Sequence, residues 1–225
     1  MNTMLHQRLL RIIRQRDAKA MLDALGSLSV SDFRTASTLM REGLLGELAE
    51  EDFWTFFHTI VPANSRAYLG TFLKAAATKY AYRDITLSAE QVARFASWAT
   101  DTDKRKFAQA FLPILRRPDE VSVVMDGLSL SSQAYITLLI PVRSTPVAYA
   151  LFQYLRRLDH DAATIRNVCV ALMRRGDDQA FALASLLGAY FDIQNLPGTF
   201  SLRVEPFQLS SISDNYDAFQ KIIAP

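Results

Sequence analysis

The sequence predicts an all-α protein in which about twelve short antiparallel helices span residues 1–192. Apolar residues recur at helical spacing through almost all of this stretch. Capping residues, glycines and prolines divide it into segments of about 8–18 residues. The connections between segments are commonly about 2–5 residues, which makes consecutive helices antiparallel neighbours.

The first helix is predicted within residues 1–16, where an apolar stripe faces away from several arginines. The stripe consists of Leu5, Leu9, Ile12 and Ile13. We expect it to be buried against the second helix. An arginine-bearing amphipathic start is also typical of a mitochondrial presequence or of a helix on a membrane surface, so both alternatives stay open.

Three further helices are predicted before residue 65. The second covers residues 17–26, and the third begins with a cap at Ser31 or Asp32. The acidic run 50–52 complements the positive end of a helix dipole, so we interpret it as a helix start and not as a catalytic cluster. Pro62 is expected to end that helix.

The middle of the chain continues the pattern. Ser65 is predicted to open a longer helix, and Ser88 with Gln91 to form a capping box. Asp101 begins a helix whose apolar stripe extends to residue 115. Residues 118–127 form the next helix, which starts with a proline and ends with a glycine in the left-handed conformation.

Four helices follow, over residues 131–140, 145–158, 161–176 and 177–192. A Thr-Pro pair opens the second of them, and aspartates cap the third and fourth. The fourth is apolar nearly all round, so we expect neighbours to cover it on several sides.

The pattern changes over residues 193–225. Apolar and polar residues alternate over 200–205 with the period of a strand, but no partner strand is predicted. We therefore expect an extended C-terminal arm that packs on the same domain and carries a short terminal helix over 214–223.

The helix lengths and short connections resemble the spacing of armadillo and HEAT-type helical arrays. The resemblance is one of architecture, because no repeat of fixed period is present. An irregular α–α superhelix is the predicted arrangement, and a compact multi-helix bundle is the alternative.

Composition narrows the functional classes. The chain has 225 residues and a formal net charge of +2. Residues 1–110 carry 15 basic and 12 acidic side chains, and residues 111–225 carry 10 and 11, so neither half is typical of a polyelectrolyte binder. Cys169 is the single cysteine, which excludes an internal disulfide and favours a reducing, cytoplasmic location. No stretch reaches the length of a membrane span.

No catalytic residue, metal site or cofactor is predicted. The three histidines, His6, His58 and His160, are too far apart in sequence to share a helix. His160 lies between two aspartates, but in a tight link where Asp161 already serves as a helix cap. The nucleotide-binding glycine motifs and the nucleophile elbow are missing from the sequence, so we expect a binding protein and not an enzyme.

Two sets of residues are the candidate contacts for a protein or peptide partner. Trp54 and His58 are helical neighbours offset from their apolar stripe, and they are either buried against a third helix or presented to a partner. On the helix from residue 145, a polar face combines tyrosine with arginine, which is typical of interface anchors. This face comprises Tyr149, Gln153, Arg156 and Arg157.

The rival interpretation is nucleic-acid binding. Three arginine pairs, at 116–117, 156–157 and 174–175, are each predicted in the last turn of a helix, where cations complement the dipole. Arg116, Arg117, Arg174 and Arg175 would lie on one edge of the array. Some HEAT-like proteins are DNA-repair glycosylases that use tryptophan, arginine and aspartate in a basic groove, and this chain has those residue types. The predicted function is a scaffold or adaptor for a protein partner, with nucleic-acid binding of the DNA-repair type as the alternative.

Overall fold

The computed structural model describes residues 3–64, 66–129 and 133–193, and the side chains within these ranges except those of residues 133 and 134. This part of the chain forms eleven α-helices and contains no strand, which confirms the all-α prediction. The helices are α1 Thr3–Arg14, α2 Ala18–Gly26, α3 Val30–Glu42, α4 Glu50–Ala63, α5 Leu69–Tyr82, α6 Ala89–Ala96, α7 Asp101–Phe111, α8 Pro118–Leu128, α9 Thr145–Leu155, α10 Ala162–Arg175 and α11 Asp178–Tyr190. The predicted strand-like arm and terminal helix lie outside the described residues.

Two compact units make up the structure, and the boundary between them follows Ala110, at the end of α7. Unit 1 contains α1 to α6 and nearly all of α7, and unit 2 contains α8 to α11. Each unit has its own buried apolar side chains.

The first six helices of unit 1 form two rows. In the odd row, α3 packs against both α1 and α5, and in the even row, α4 packs against both α2 and α6. Phe33 lies 4.7 Å from Tyr68, and the hydroxyl oxygens of Ser37 and Thr71 are 2.6 Å apart, so α3 and α5 run in the same direction. Consecutive helices thus alternate between the two rows.

A cluster of phenylalanines forms the core of unit 1 where α4, α5, α6 and α7 meet. The ring centroids of Phe57 and Phe72 are 5.7 Å apart, and those of Phe95 and Phe107 are 4.6 Å apart. All four rings are fully buried. Each such side chain contributes roughly 2–3 kcal/mol on leaving water, so the cluster is a main source of stability for the unit.

The first helix belongs to the core. All four residues of its predicted apolar stripe are buried. A 3₁₀ turn over Leu44–Glu47 contacts α1, α3 and α5, and its leucines Leu44 and Leu45 are buried too. The Nζ atom of Lys79, on α5, donates to the carbonyl oxygen of Gly46 at 3.1 Å and fixes this turn. The apolar side of α1 is therefore covered by its own unit.

In unit 2, α9 packs against α8 and α11, and α10 packs against α11. A 3₁₀ segment over Gln133–Leu139 contacts α9 and α10. Residues 182–188 of α11 are all buried, which agrees with a helix that is apolar nearly all round.

Several predicted helix ends are confirmed. The carboxylates of Asp17, Asp161 and Asp177 accept from backbone N–H groups three residues later, at 2.8, 2.8 and 3.0 Å. The Ser88 hydroxyl accepts likewise from the Gln91 N–H at 3.2 Å. Gly176 ends α10 with φ of +77°, a conformation that glycine adopts without strain.

Other predicted ends were wrong by a few residues. The cap of α3 is Ser29, and α9 is preceded by Ser144. Helix α8 ends at Leu128, and Ser129, not Gly127, adopts the left-handed conformation. The helix extends by one residue because this buries the Leu128 side chain. Helix α5 begins at Leu69, after Arg66 adopts φ of +63°.

Arg66 holds its strained conformation through a buried carboxylate. Its Nε lies 2.8 Å from Oδ2 of Asp103, and its Nη2 donates to the carbonyl oxygen of Trp98 at 3.0 Å. The same carboxylate oxygen accepts from the backbone N–H and hydroxyl of Thr100 at 3.0 and 2.6 Å. These bonds tie the α4–α5 link to the start of α7.

Within the residues that the structure describes, no helix has both the length and the apolar character needed to cross a bilayer.

Candidate functional site

The structure separates the predicted partner contacts into the two units. Trp54 and His58 lie on α4 of unit 1, and both are buried, with 2% and 8% of their surface exposed. The remaining candidates belong to α9 and its C-terminal end in unit 2. The first pair is thus part of the packing of its unit, which was the first of the two expectations for it.

His58 is fixed by hydrogen bonds on both ring nitrogens. Its Nε2 lies 3.1 Å from Oε1 of Gln91, and its Nδ1 accepts from the indole Nε1–H of Trp98 at 3.4 Å. The ring also stacks on Trp54 at 6.0 Å. These partners require a neutral ring with its proton on Nε2, because the amide oxygen can only accept and the indole can only donate.

The surroundings of His58 keep it neutral. The pKa of His58 is lowered to about 4: burial lowers it most, the hydrogen bond to Gln91 raises it, and the positive charge of Arg94 lowers it. Gln91 was predicted to complete a capping box, but its side-chain oxygen contacts the histidine instead. The arrangement positions α4 against α6 and leaves no free nitrogen for chemistry.

The predicted face on α9 is only partly at the surface. Tyr149 is buried, so the expectation that it belongs to an exposed polar face was wrong. Gln153 is half-buried, and its amide nitrogen has no hydrogen-bond partner among the described residues. Arg156 is half-buried and Arg157 is exposed. Only the arginine end of the face can meet a partner.

Tyr190, at the end of α11, completes a surface with these arginines. The guanidinium carbon of Arg156 lies 5.9 Å from the centroid of the Tyr190 ring, which is the geometry of a cation–π contact. The tyrosine is 48% exposed, one of the few large apolar side chains at the surface of the described residues. We call the surface formed by Arg156, Arg157 and Tyr190 the Arg156–Tyr190 patch.

Other aromatic rings fix the patch from below. Phe152 of α9 and Phe191 meet the Tyr190 ring edge-on, with centroids 6.2 and 4.9 Å away. Phe191 in turn contacts the His160 ring at 5.7 Å, and the Nε2 atom of His160 lies 2.8 Å from the carbonyl oxygen of Leu155. The tyrosine is therefore held in place before any partner arrives.

Sequence reasoning missed Tyr190 because the helix around it is apolar on every side. Its position at the last residue of α11 was the available signal, since a helix end is the place where a covered helix meets solvent. The pairing of α9 with α11, which brings the tyrosine to the arginines, follows no local pattern in the sequence.

The arginine pairs occupy three different kinds of site. Arg174 and Arg175 lie in the last turn of α10, as predicted. The pair at 156–157 follows α9 directly. The prediction for Arg116 and Arg117 was wrong, because they precede α8: Pro113 cannot continue an α-helix, and a 3₁₀ turn over 112–114 ends this segment early.

Arg117 and Arg175 both have acidic partners. Arg117 lies 3.6 Å from Asp119 and 3.5 Å from Glu120, and the backbone N–H groups of Arg116 and Arg117 donate to that glutamate. Arg116, Arg117 and Arg174 are exposed.

Arg175 has a closed set of partners. Its Nε and Nη2 donate to the two oxygens of Asp177 at 2.5 and 2.7 Å, and Nη1 donates to the carbonyl oxygens of Ile140 and Val142 at 2.9 and 2.7 Å. Nη2 also donates to the Gln179 side chain. All five N–H donors are thus used, and the side chain is only 5% exposed, so Arg175 has no donor left for a phosphate.

The remaining chemical candidates are accounted for by the fold. Burial raises the pKa of the Cys169 thiol to about 11, and the thiol donates to the carbonyl oxygen of Ala184 at 3.7 Å. A thiol in that state is a poor nucleophile. In the part of the chain that the structure describes, no three histidine, cysteine or carboxylate side chains converge as a metal site would require.

Comparison of the chain with protein-family models, with curated proteins and with solved structures finds no match.

Proposed function

We propose that this protein is a helical scaffold or adaptor that binds a protein or peptide partner, and that the Arg156–Tyr190 patch is a contact surface. The observation that carries the proposal is the half-exposed Tyr190 ring under the Arg156 guanidinium. Tyrosine and arginine are enriched at interfaces and dominate their binding energy.

The rigidity of the patch supports this function. Because Phe152 and Phe191 already hold the Tyr190 ring, a partner would not bear the entropic cost of ordering it. The exposed Arg157 follows Arg156 directly in the chain and adds a second cation, suited to a carboxylate or a backbone carbonyl at the rim of an interface.

The two-row arrangement of unit 1 supports an array of the superhelical type, since stacked helices expose extended surfaces for partners. A cytoplasmic location belongs to the same proposal and is supported by the single, buried cysteine.

The test is quantitative affinity capture from the native source, with and without nuclease, comparing two variants of equal charge change. The first is R156E/R157E in the patch. The second is the control R116E/R174E, which reverses two exposed arginines outside it. We expect the first variant to lose at least nine-tenths of a nuclease-resistant partner and the control to retain it, with unchanged helicity for both.

A partner that both variants retain equally would exclude the patch as its contact. A different result would establish nucleic-acid binding in place of the proposed function. In that case nuclease would abolish recovery of the partner, and R116E/R174E would fail to recover it while R156E/R157E would still do so.

A further inference from the structure

The two helix rows of unit 1 carry opposite charge. The odd-row helices α1, α3 and α5 contain seven basic and two acidic residues, a net charge of +5. The even-row helices α2, α4 and α6 contain two basic and five acidic residues, a net charge of −3. The small net charge of the whole chain conceals this separation.

Six of the seven odd-row cations are exposed. We call this set the basic face: Arg8, Arg11, Arg14, Arg34, Arg41 and Lys74. The seventh, Lys79, is the buried side chain that fixes the 3₁₀ turn.

The three helices behind the basic face form one packed set. Helix α3 contacts both α1 and α5, and the turn over Leu44–Glu47 contacts all three. Arg11 and Arg14 are about 4.5 Å apart along their helix axis, and Arg34 and Arg41 about 10 Å apart. Neighbouring helix axes lie about 8–10 Å apart, so the cations cover a surface about two helix spacings wide.

Ion pairing within the fold explains almost none of these charges, although Arg11, Arg14 and Arg41 lie in the last turns of their helices, where a cation also complements the helix dipole. Five members of the face, Arg8, Arg11, Arg14, Arg34 and Lys74, form no ion pair with any described residue. Arg41 pairs only with the adjacent, exposed Glu42 at 3.4 Å. Like charges three residues apart on α1 repel each other, and this repulsion costs the folded state a few tenths of a kcal/mol per pair.

We propose that the basic face binds an acidic segment of a protein partner. Five of its six cations are arginines, whose planar guanidinium groups match carboxylates with two parallel hydrogen bonds. This surface lies in unit 1 and shares no residue with the Arg156–Tyr190 patch, so it is a second contact beyond the proposed function.

The observations favour carboxylates over a nucleic acid or a membrane. Asp32 and Glu42 lie on α3 in the same row, where they would oppose a continuous phosphate backbone, and the cation spacing is uneven along the three helices. The apolar stripe of α1 is buried in the unit, so it cannot insert into a bilayer. A discrete acidic peptide can place its carboxylates between these acids.

The experiment uses the full-length protein and a fluorescein-labelled twelve-residue peptide of alternating glutamate and serine, read by fluorescence anisotropy at 50 mM salt. The test variant R11E/R34E/K74E removes one cation from each odd-row helix. The control K19E/R94E/R174E makes the same change of net charge at exposed sites outside the face. A neutral variant, R11Q/R34Q/K74Q, repeats the test if charge reversal disturbs folding.

We expect at least a tenfold loss of peptide affinity in both test variants and less than a twofold loss in the control. An equal loss in test and control variants, or no binding by the wild-type protein, would overturn the proposal. A twelve-nucleotide single strand that binds the wild type more tightly than the peptide and is lost in the test variants would assign the face to nucleic acid instead. Peptide binding in this assay does not involve Tyr190. Its result is therefore independent of the affinity-capture test of the Arg156–Tyr190 patch.

Discussion

At the scale of single residues, the hydrogen-bond partners of a side chain determine whether it is available for function. Arg174 and Arg175 are adjacent in sequence and identical in type. The first is exposed, and the second uses every N–H donor within its own unit. The sequence can place both at a helix end but cannot distinguish these two roles.

Replacing Arg175 by alanine should destabilise unit 2 strongly. The change leaves Oε1 of Gln179 and the carbonyl oxygens of Ile140 and Val142 without this donor, while the Asp177 carboxylate keeps the Arg143 guanidinium and the Ala180 N–H. Leaving buried polar acceptors without their donor typically costs about 1–3 kcal/mol. We expect a loss of this size in the free energy of unfolding, measured by urea denaturation. R174A, at the exposed neighbour, should change it by about 0.5 kcal/mol or less; similar values for both variants would contradict the closed network.

His58 should make the stability of unit 1 depend on pH. Its pKa is about 4 in the folded protein and about 6.5 in the unfolded chain, so the unfolded chain binds the extra proton first. The contribution of neutral His58 to the free energy of unfolding is complete above pH 6.5 and is lost as the pH falls towards 4. Over that range it amounts to roughly 3 kcal/mol.

The measurement is the free energy of unfolding from pH 7 to pH 4 for the wild type and for H58F. We expect the free energy of unfolding to change less steeply with pH in H58F than in the wild type. The control H6Q should keep the wild-type dependence on pH. An NMR titration should show the His58 ring changing protonation near pH 4. A midpoint near 6.5 would mean that the ring is not enclosed as the structure shows.

At the scale of helices, the sequence predicts best what is decided locally. The caps Asp17, Asp161 and Asp177 were predicted correctly because a carboxylate and the N–H three residues on are enough to define them. The end of α8 was misplaced because burial of Leu128 in the core outweighed the preference of a glycine for the left-handed conformation.

Contacts between helices were the part that the sequence could not supply. Arg156 and Arg157 were predicted as surface residues from α9 alone, but the patch needs Tyr190, 33 positions beyond Arg157, and the pairing of α9 with α11. Tyr149 was misjudged for the same reason, since a residue off the main stripe is buried when a second neighbour covers that side. Likewise His58 and Gln91 are brought together only by the packing of α4 on α6.

At the scale of the whole molecule, the distribution of charge matters more than its sum. Counting charge over residues 1–110 as a whole gave only +3, because this half mixes helices from both rows. Counting by alternate helices separates +5 from −3 in unit 1. The sequence contained this signal, but it becomes meaningful only when alternate helices are known to pack side by side.

This distribution predicts weak binding to duplex DNA. A polyanion that binds the basic face also meets the acidic residues of α3. In unit 2, Arg175 has no N–H donor left for a phosphate. Proteins that bind duplexes tightly neutralise about 6–10 phosphates and show a correspondingly steep salt dependence. We expect no measurable binding of a 20-base-pair duplex at about 0.15 M salt, the ionic strength at which exposed charges are largely screened beyond about 8 Å. Anisotropy titrations between 50 and 200 mM salt would check this, and binding that persists at 150 mM with a logarithmic salt slope of about −5 or steeper would show that the cations act together on phosphates.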